Sequence, residues 1–343
     1  MLGHSWSPVR GGGICSRRIP PIQADPGARS RYNQGVTRRE ALLCAGALFP
    51  AGSLRAPVRT PKVPIRLGGP IYLPSSDPVE LAREHRRLGY SAAYCPAVDF
   101  TDEILIGKIE AAFQKENVVI AEVGAWVNLL DPDPAKRAKN LQYVTERLAL
   151  AERIGARCCV DIAGSYNPEV WYGPHPKNLS AQFFDATVEN CRRVIDAVKP
   201  KRTKFTLEMM GWSLPDGPDS YLRLMKAIDR MAFGVHLDIC NGINSPAKFY
   251  DNAGYTRECF RKLGRYIVSC HAKDLAWLPE MNLHFVEVIP GRGQIDYEPI
   301  LTELARLPQA PPLMMEHLQS AAEYQEAQRH IRKVGAQAGV TFA

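Results

Sequence analysis

From residue 64 onward, short runs of β-branched and apolar residues alternate with longer stretches in which apolar positions recur every three to four residues. This alternation predicts parallel strands joined by helical crossovers. The predicted strands cover 65–73, 91–95, 118–123, 158–162, 204–209, 233–237, 266–272 and 312–316, and the predicted helices 78–88, 102–116, 135–154, 181–198, 220–229, 256–263, 297–307 and 321–334. Within 135–154, Leu141, Val144, Leu148, Ala151 and Ile154 fall on one face. Gly89, Gly155 and Gly264 follow helical segments, where a left-handed C-terminal cap is expected. Eight strand-helix units predict a single α/β domain, a (β/α)8 TIM barrel spanning 64–343. An open doubly wound sheet would want a glycine-rich phosphate turn after an early strand, and Gly68-Gly69-Pro70 does not supply one.

Ahead of the barrel, residues 1–36 are rich in Gly, Pro and Arg and have no apolar period, so a disordered tail is expected. Residues 37–63 open with Thr37-Arg38-Arg39-Glu40-Ala41-Leu42-Leu43, stay apolar to Ala51 and end in small residues and prolines. This resembles a twin-arginine export signal with a linker. The resemblance implies the twin-arginine export machinery as a partner and a periplasmic or extracellular location. The apolar run, about 11 residues, is too short for a stable membrane span. Leu54-Arg55-Ala56 makes only a weak cleavage motif. Val36 directly precedes the Thr37-Arg38-Arg39 motif, and because a GTG valine codon can initiate bacterial translation, the precursor is expected to begin there.

The net charge of +7 changes meaning once it is divided along the chain. Residues 1–62 carry ten Lys/Arg against two Asp/Glu, while the remainder carries 33 against 34. A barrel without a basic surplus is not expected to bind nucleic acid. Nine cysteines without a C-x-x-C, two of them the vicinal Cys158 and Cys159, suggest neither a disulfide framework nor a structural zinc site. Most are expected to be reduced core residues.

Barrel enzymes carry their working residues at the C-terminal ends of strands. Glu208 ends the fifth predicted strand, Asp238 follows the sixth, His271 lies on the seventh and Glu316 closes the eighth. Any one of these could be a cap, a salt-bridge partner or a core histidine. Four on adjacent strands at equivalent depth point to a cation, because clustered carboxylates are costly without one. Three carboxylates and an imidazole suit one divalent ion, with Mn²⁺, Mg²⁺ or Co²⁺ favoured and Zn²⁺ also compatible.

These residues resemble the xylose-isomerase-like barrels of the AP endonuclease family 2 superfamily, which include D-tagatose 3-epimerase, hydroxypyruvate isomerase, inosose dehydratase and endonuclease IV. The resemblance covers about residues 64–340. In the epimerase branch, a Glu, an Asp, a His and a Glu from strands five to eight bind one divalent metal. It implies that Glu208, Asp238, His271 and Glu316 are the ligands here. The segment Pro290-Gly291-Arg292-Gly293-Gln294-Ile295-Asp296 looks like the family's glycine turn, and Arg292 within it is expected to meet substrate. Two departures stand out. Asn241 replaces the His that epimerases commonly carry three residues after the strand-six Asp, and Asn cannot take a proton. The strand-four end has no His, and too few histidines are placed for a trinuclear endonuclease site.

The implied activity is that of a sugar isomerase or epimerase, in which Glu208 and Glu316 exchange protons with a substrate whose carbonyl the metal polarises. Lys273 is a candidate to stabilise an enediolate. His236 faces the same way as Asp238 and is expected either to bond substrate or to pack beneath the metal. Asn241 can donate to a substrate hydroxyl. Trp212, with Trp126, Trp171, Tyr172 and Trp277, is a candidate to stack on a sugar face. The same residues would serve a 3-keto-glycoside lyase or dehydratase, and a non-catalytic sugar-binding barrel would be expected to have a broken ligand pattern. The pattern leaves the sugar, its phosphorylation state and a homo-oligomer open.

Overall fold

A computed structural model describes residues 62–343, so the expectations for the tail and export signal fall outside the described residues, except at Lys62 and Val63. These two already belong to the barrel: Lys62 Nζ donates to the Ala338 carbonyl (2.8 Å) and Val63 N to the Ala305 carbonyl (2.7 Å).

The strands are β1 (Leu67–Gly68), β2 (Ala92–Tyr94), β3 (Val119–Gly124), β4 (Cys158–Asp161), β5 (Lys204–Glu208), β6 (Phe233–Leu237), β7 (Ile267–Ala272), β8 (Asp274–Trp277), β9 (Phe285–Val288) and β10 (Leu313–Met315). Eight of them close a parallel barrel in the order β1-β10-β7-β6-β5-β4-β3-β2. The helices are α1 (Pro78–Arg87), α2 (Glu103–Lys115), α3 (Pro134–Ile154), α4 (Ala181–Val198), α5 (Pro218–Ile228), α6 (Ile239–Gly242), α7 (Pro246–Tyr250), α8 (Asn252–Leu263), α9 (Tyr297–Leu304) and α10 (Ala321–Gln337).

The helix starts follow local chemistry. Asp77, Asp102, Asp133, Ser180, Asp296 and Ser320 each accept a hydrogen bond from a backbone N–H in the first turn of the helix that follows. Pro78, Pro134 and Pro218 open their helices where no N–H partner is needed. On α3, Val144, Leu148, Ala151 and Ile154 are buried against the barrel, as the apolar spacing predicts, and Leu141 is half-buried.

Two expectations are corrected, the length of the first strand and the cap at Gly264, and one strand pair is new. The first strand is two residues long rather than nine, because Gly69-Pro70 cannot continue a ladder that needs a donor. Gly68 is required by close approach: a Cβ there would lie 2.4 Å from the Ala92 carbonyl oxygen. Gly155 takes the left-handed cap conformation (φ 71°) and Gly89 is also left-handed (φ 78°), but Gly264 has φ −44° and opens a 3-10 turn that runs straight into β7. The segment after β7 is not a plain loop: β8 and β9 pair antiparallel, from Asp274 opposite Val288 to Trp277 opposite Phe285. Its strands, Asp274–Trp277 and Phe285–Val288, are four residues each, too short a pattern to announce a hairpin.

The barrel interior follows the two-residue period of a strand. Ser269, His271 and Lys273 share one face, as do His236 and Asp238. Among the described residues, seven cysteines are free thiols, six of them buried, as the cysteine pattern suggests.

Candidate metal and proton-transfer site

The inward face of four neighbouring strands delivers the predicted residues to one place. Glu208 ends β5 and pairs in register with His236 of β6. Asp238 leaves β6 as the N-cap of α6, and its Oδ1 accepts from Asn241 N (2.9 Å), which turns Oδ2 towards the barrel axis. His271 lies one residue before the end of β7, opposite Met314, and Glu316 directly follows β10. The next residue, His317, has φ 60°, a left-handed bend that turns the chain off the strand.

One ligand atom from each of Glu208, Asp238, His271 and Glu316 falls within 4.8 Å of the others. His271 Nδ1 lies 2.7 Å from Glu316 Oε1, 3.0 Å from Glu208 Oε1 and 3.6 Å from Asp238 Oδ2. The buried oxygens Asp238 Oδ2 and Glu316 Oε1 make no well-aligned hydrogen bond, although charged nitrogens lie close to both. Three carboxylates facing one point in a largely buried site, together with an imidazole nitrogen, fit a hard divalent ion. Lys273 is the cation the chain itself places there, its Nζ 2.7 Å from Glu316 Oε1, 3.0 Å from Asp238 Oδ2 and 3.7 Å from Glu208 Oε1.

The electrostatics separate the two glutamates. Burial raises the Glu208 carboxyl above the ordinary range, and this outweighs the neighbouring His271 and Lys273. Burial also opposes charge on Glu316, but His271 and Lys273 bring it down to about 2. Asp238 falls well below the usual range because Lys273 and His271 overcome its burial. His271 and Lys273 are both pushed well up, burial being outweighed by the surrounding carboxylates. One prediction follows for the metal-free protein. A carboxylate held low in the fold contributes stability above its unfolded value, 4.5 for Glu316, and loses it as pH falls towards about 2. Melting temperature is therefore expected to drop steeply below about pH 4.5, and a flat profile from about pH 6 to about pH 3 would contradict it.

The remaining predicted residues divide. Asn241 lies in the site, its Nδ2 donating to Glu208 Oε1 (3.0 Å) and its Oδ1 accepting from Lys273 Nζ (3.2 Å). His236 is fully buried beneath the cluster, and its ring packs edge-on against His271 with centroids 4.1 Å apart. Trp212 is 61% exposed in the loop after β5. Arg292 is not brought to the carboxylates: its guanidinium makes a bidentate pair with Glu326 of α10 (2.6 and 2.8 Å), on the outside of the barrel. The glycine turn is held instead by Asp274, whose carboxylate accepts from the N–H groups of Leu275, Gly291, Gly293 and Ile295. Gly291 has φ 96°, and a Cβ on Gly293 would lie 2.2 Å from Asp274 Oδ1, so both glycines are needed.

The sequence reading missed Glu122, on β3. It is fully buried, accepts from the Ser269 hydroxyl, and bonds His236 Nε2 through Oε1 (2.9 Å) and His271 Nε2 through Oε2 (3.2 Å). The two histidines overcome its burial and keep the carboxyl well below its ordinary range. The signal was present: a glutamate inside the apolar run Val119-Ile120-Ala121-Glu122-Val123 demands a buried partner. Glu287 of β9 was also missed. It reaches into the mouth of the site, 3.6 Å from Lys273 Nζ and 2.8 Å from His317 Nδ1.

A further prediction separates ligand from neighbour. His271→Ala is expected to strip most metal from the purified protein, whereas Asn241→Ala keeps it, since Asn241 reaches only the flank of Glu208. Equal metal content by elemental analysis would contradict the ligand assignment.

The fold has many solved counterparts. A xylose isomerase-like TIM barrel protein from Mycobacterium smegmatis in complex with magnesium is 19% identical, with 76% of this chain and 88% of that one covered at a TM-score of 0.55. The 3-keto-D-glucoside 4-epimerase from E. coli is 13% identical, with 78% and 99% covered at 0.57. D-Psicose 3-epimerase from Clostridium cellulolyticum H10, solved with D-tagatose, is 18% identical, with 79% and 99% covered at 0.56. No curated protein matches the chain by sequence. Residues 79–334 match the family described as xylose isomerase-like TIM barrel. With a closed eight-stranded parallel barrel and that match along most of its length, the chain belongs to the xylose isomerase-like TIM barrel family.

Proposed function

We propose that the protein is a divalent-metal-dependent sugar isomerase or epimerase that moves a proton on the carbon next to a substrate carbonyl. The observation that carries this reading is the convergence of Glu208, Asp238, His271 and Glu316 from four adjacent strands, which turns three carboxylates and an imidazole nitrogen to one point. These four residues would hold the ion, which would supply Lewis-acid polarisation of the carbonyl. Glu208 and Glu316 approach His271 Nδ1 from two different strands, so a substrate over the cluster would lie between two carboxylates able to take and return a proton. Asn241 and Lys273 would orient substrate oxygens. The magnesium bound to one structural relative and the sugar substrates named for two others support the same reading.

The proposal includes export: Arg38-Arg39 with its apolar run would direct the chain to the twin-arginine machinery and a periplasmic or extracellular location.

The test is metal analysis of the purified protein, followed by NMR detection of deuterium wash-in from D2O across keto-sugars and 3-keto-glycosides. Incorporation that depends on added divalent metal supports the proposal. Release of an aglycone or water alongside incorporation would instead identify the lyase or dehydratase that the same residues can serve. Incorporation unaffected by chelation would overturn the metal assignment.

A further inference from the structure

The geometry points to an uncharged sugar or glycoside as the substrate, with phosphate esters disfavoured by the carboxylates at the mouth of the site. This rests on the reading of the cluster as a sugar-transforming centre and adds the charge class of its ligand.

The eight segments that lead from each barrel strand to the next long helix form the catalytic face. Together they carry fourteen Asp/Glu and four Lys/Arg, namely Lys177, Lys248, Lys273 and Arg292. Three of the four are already engaged. Lys273 is buried among carboxylates, Arg292 is paired with Glu326, and Lys248 donates to the Gly242 carbonyl and lies over the Tyr255 ring. Lys177 is exposed just before α4. The cavity of about 200 Å³ above the metal cluster is lined by Lys273, Glu287, Glu316, His317, Gln319 and Glu323, among others.

Much of the backbone that could cradle a phosphate here is already engaged by the chain's own side chains. Barrels frequently seat phosphate in the loops after their last two strands and at a neighbouring helix N-terminus. In the loop after β7, the glycine turn already gives the N–H groups of Gly291, Gly293 and Ile295 to the Asp274 carboxylate. At the N-terminus of α10, the Gln319 N–H is taken by Glu323 (2.6 Å) and the Glu323 N–H by Ser320. At α9, Asp296 takes the N–H of Glu298. A phosphate ester would enter a cavity bordered by Glu287, Glu316 and Glu323, whose cations Lys273 and His317 are already paired with Glu316 and Glu287, whereas sugar hydroxyls can donate to those same carboxylates.

The experiment compares matched pairs, D-fructose with D-fructose 6-phosphate and D-tagatose with D-tagatose 6-phosphate, on the metal-loaded protein. Deuterium wash-in and equilibrium binding by calorimetry are both measured. Free sugars are expected to exceed their phosphates by at least about tenfold in each. Glu323→Gln and Glu287→Gln should each narrow that gap, and the double variant should narrow it most. Equal or better performance by a phosphate ester would overturn the inference while leaving the proposed function standing. Exchange with none of the four would count against the proposed function, and binding then decides the inference alone: any result other than weaker binding of the esters, absence of binding by both included, overturns it.

Discussion

Glu208→Gln and Glu316→Gln are each expected to leave the fold intact and to lower turnover by about 10²–10⁴-fold. Glutamine keeps the length and shape of the side chain but cannot take a proton. Each substitution also removes one anionic oxygen from a cluster that holds two buried cationic groups of its own, so metal affinity should fall as well. Assays at saturating metal separate the two effects. If proton transfer is shared, both variants stay inactive when fully loaded, and deuterium wash-in stops with the same loss as product formation. Recovery of either variant at high metal would show that its carboxylate served only as a ligand. Two active variants would end the paired-glutamate mechanism.

Glu122→Gln is expected to weaken metal binding by about 10–100-fold without touching a ligand. The carboxylate uses both oxygens, Oε1 for His236 and Ser269 and Oε2 for His271. Through that bond it keeps His271 Nε2 as the donor and leaves Nδ1 to face Glu208, Asp238 and Glu316. Glutamine offers one acceptor oxygen, so its amide must confront either His271 or the His236 and Ser269 pair with a second donor. Glu122→Leu should do more damage, because three buried donors lose their acceptor at about 1–3 kcal/mol each. Calorimetric metal titration and chemical denaturation report the two effects independently. An unchanged metal affinity in Glu122→Gln would show that packing alone orients His271.

The sequence by itself determined the barrel and the four converging residues. Strand ends are legible because a parallel strand buried on both faces is an apolar run, and a carboxylate or histidine that closes such a run stands out. Barrel topology then places consecutive strand ends side by side, so Glu208, Asp238, His271 and Glu316 could be brought together without coordinates. The family match over residues 79–334 agrees with that reading of the fold.

Tertiary structure alone decided what each residue faces. Arg292 looked like part of the site because it sits in the glycine turn, but Asp274 claims the turn's backbone and Glu326 claims the guanidinium. His236 shares a strand face with Asp238, yet two residues of depth place it against Glu122 beneath the cluster. Glu122 lies 86 residues before Glu208 in the chain, and its partners come from β6 and β7, so no local pattern joins them. The same holds for the β8–β9 hairpin, whose register brings Glu287 to within 3.6 Å of Lys273. Periodicity reports which face of an element is buried. Which donor meets which acceptor depends on distances between elements far apart in sequence, and only the closed barrel sets those.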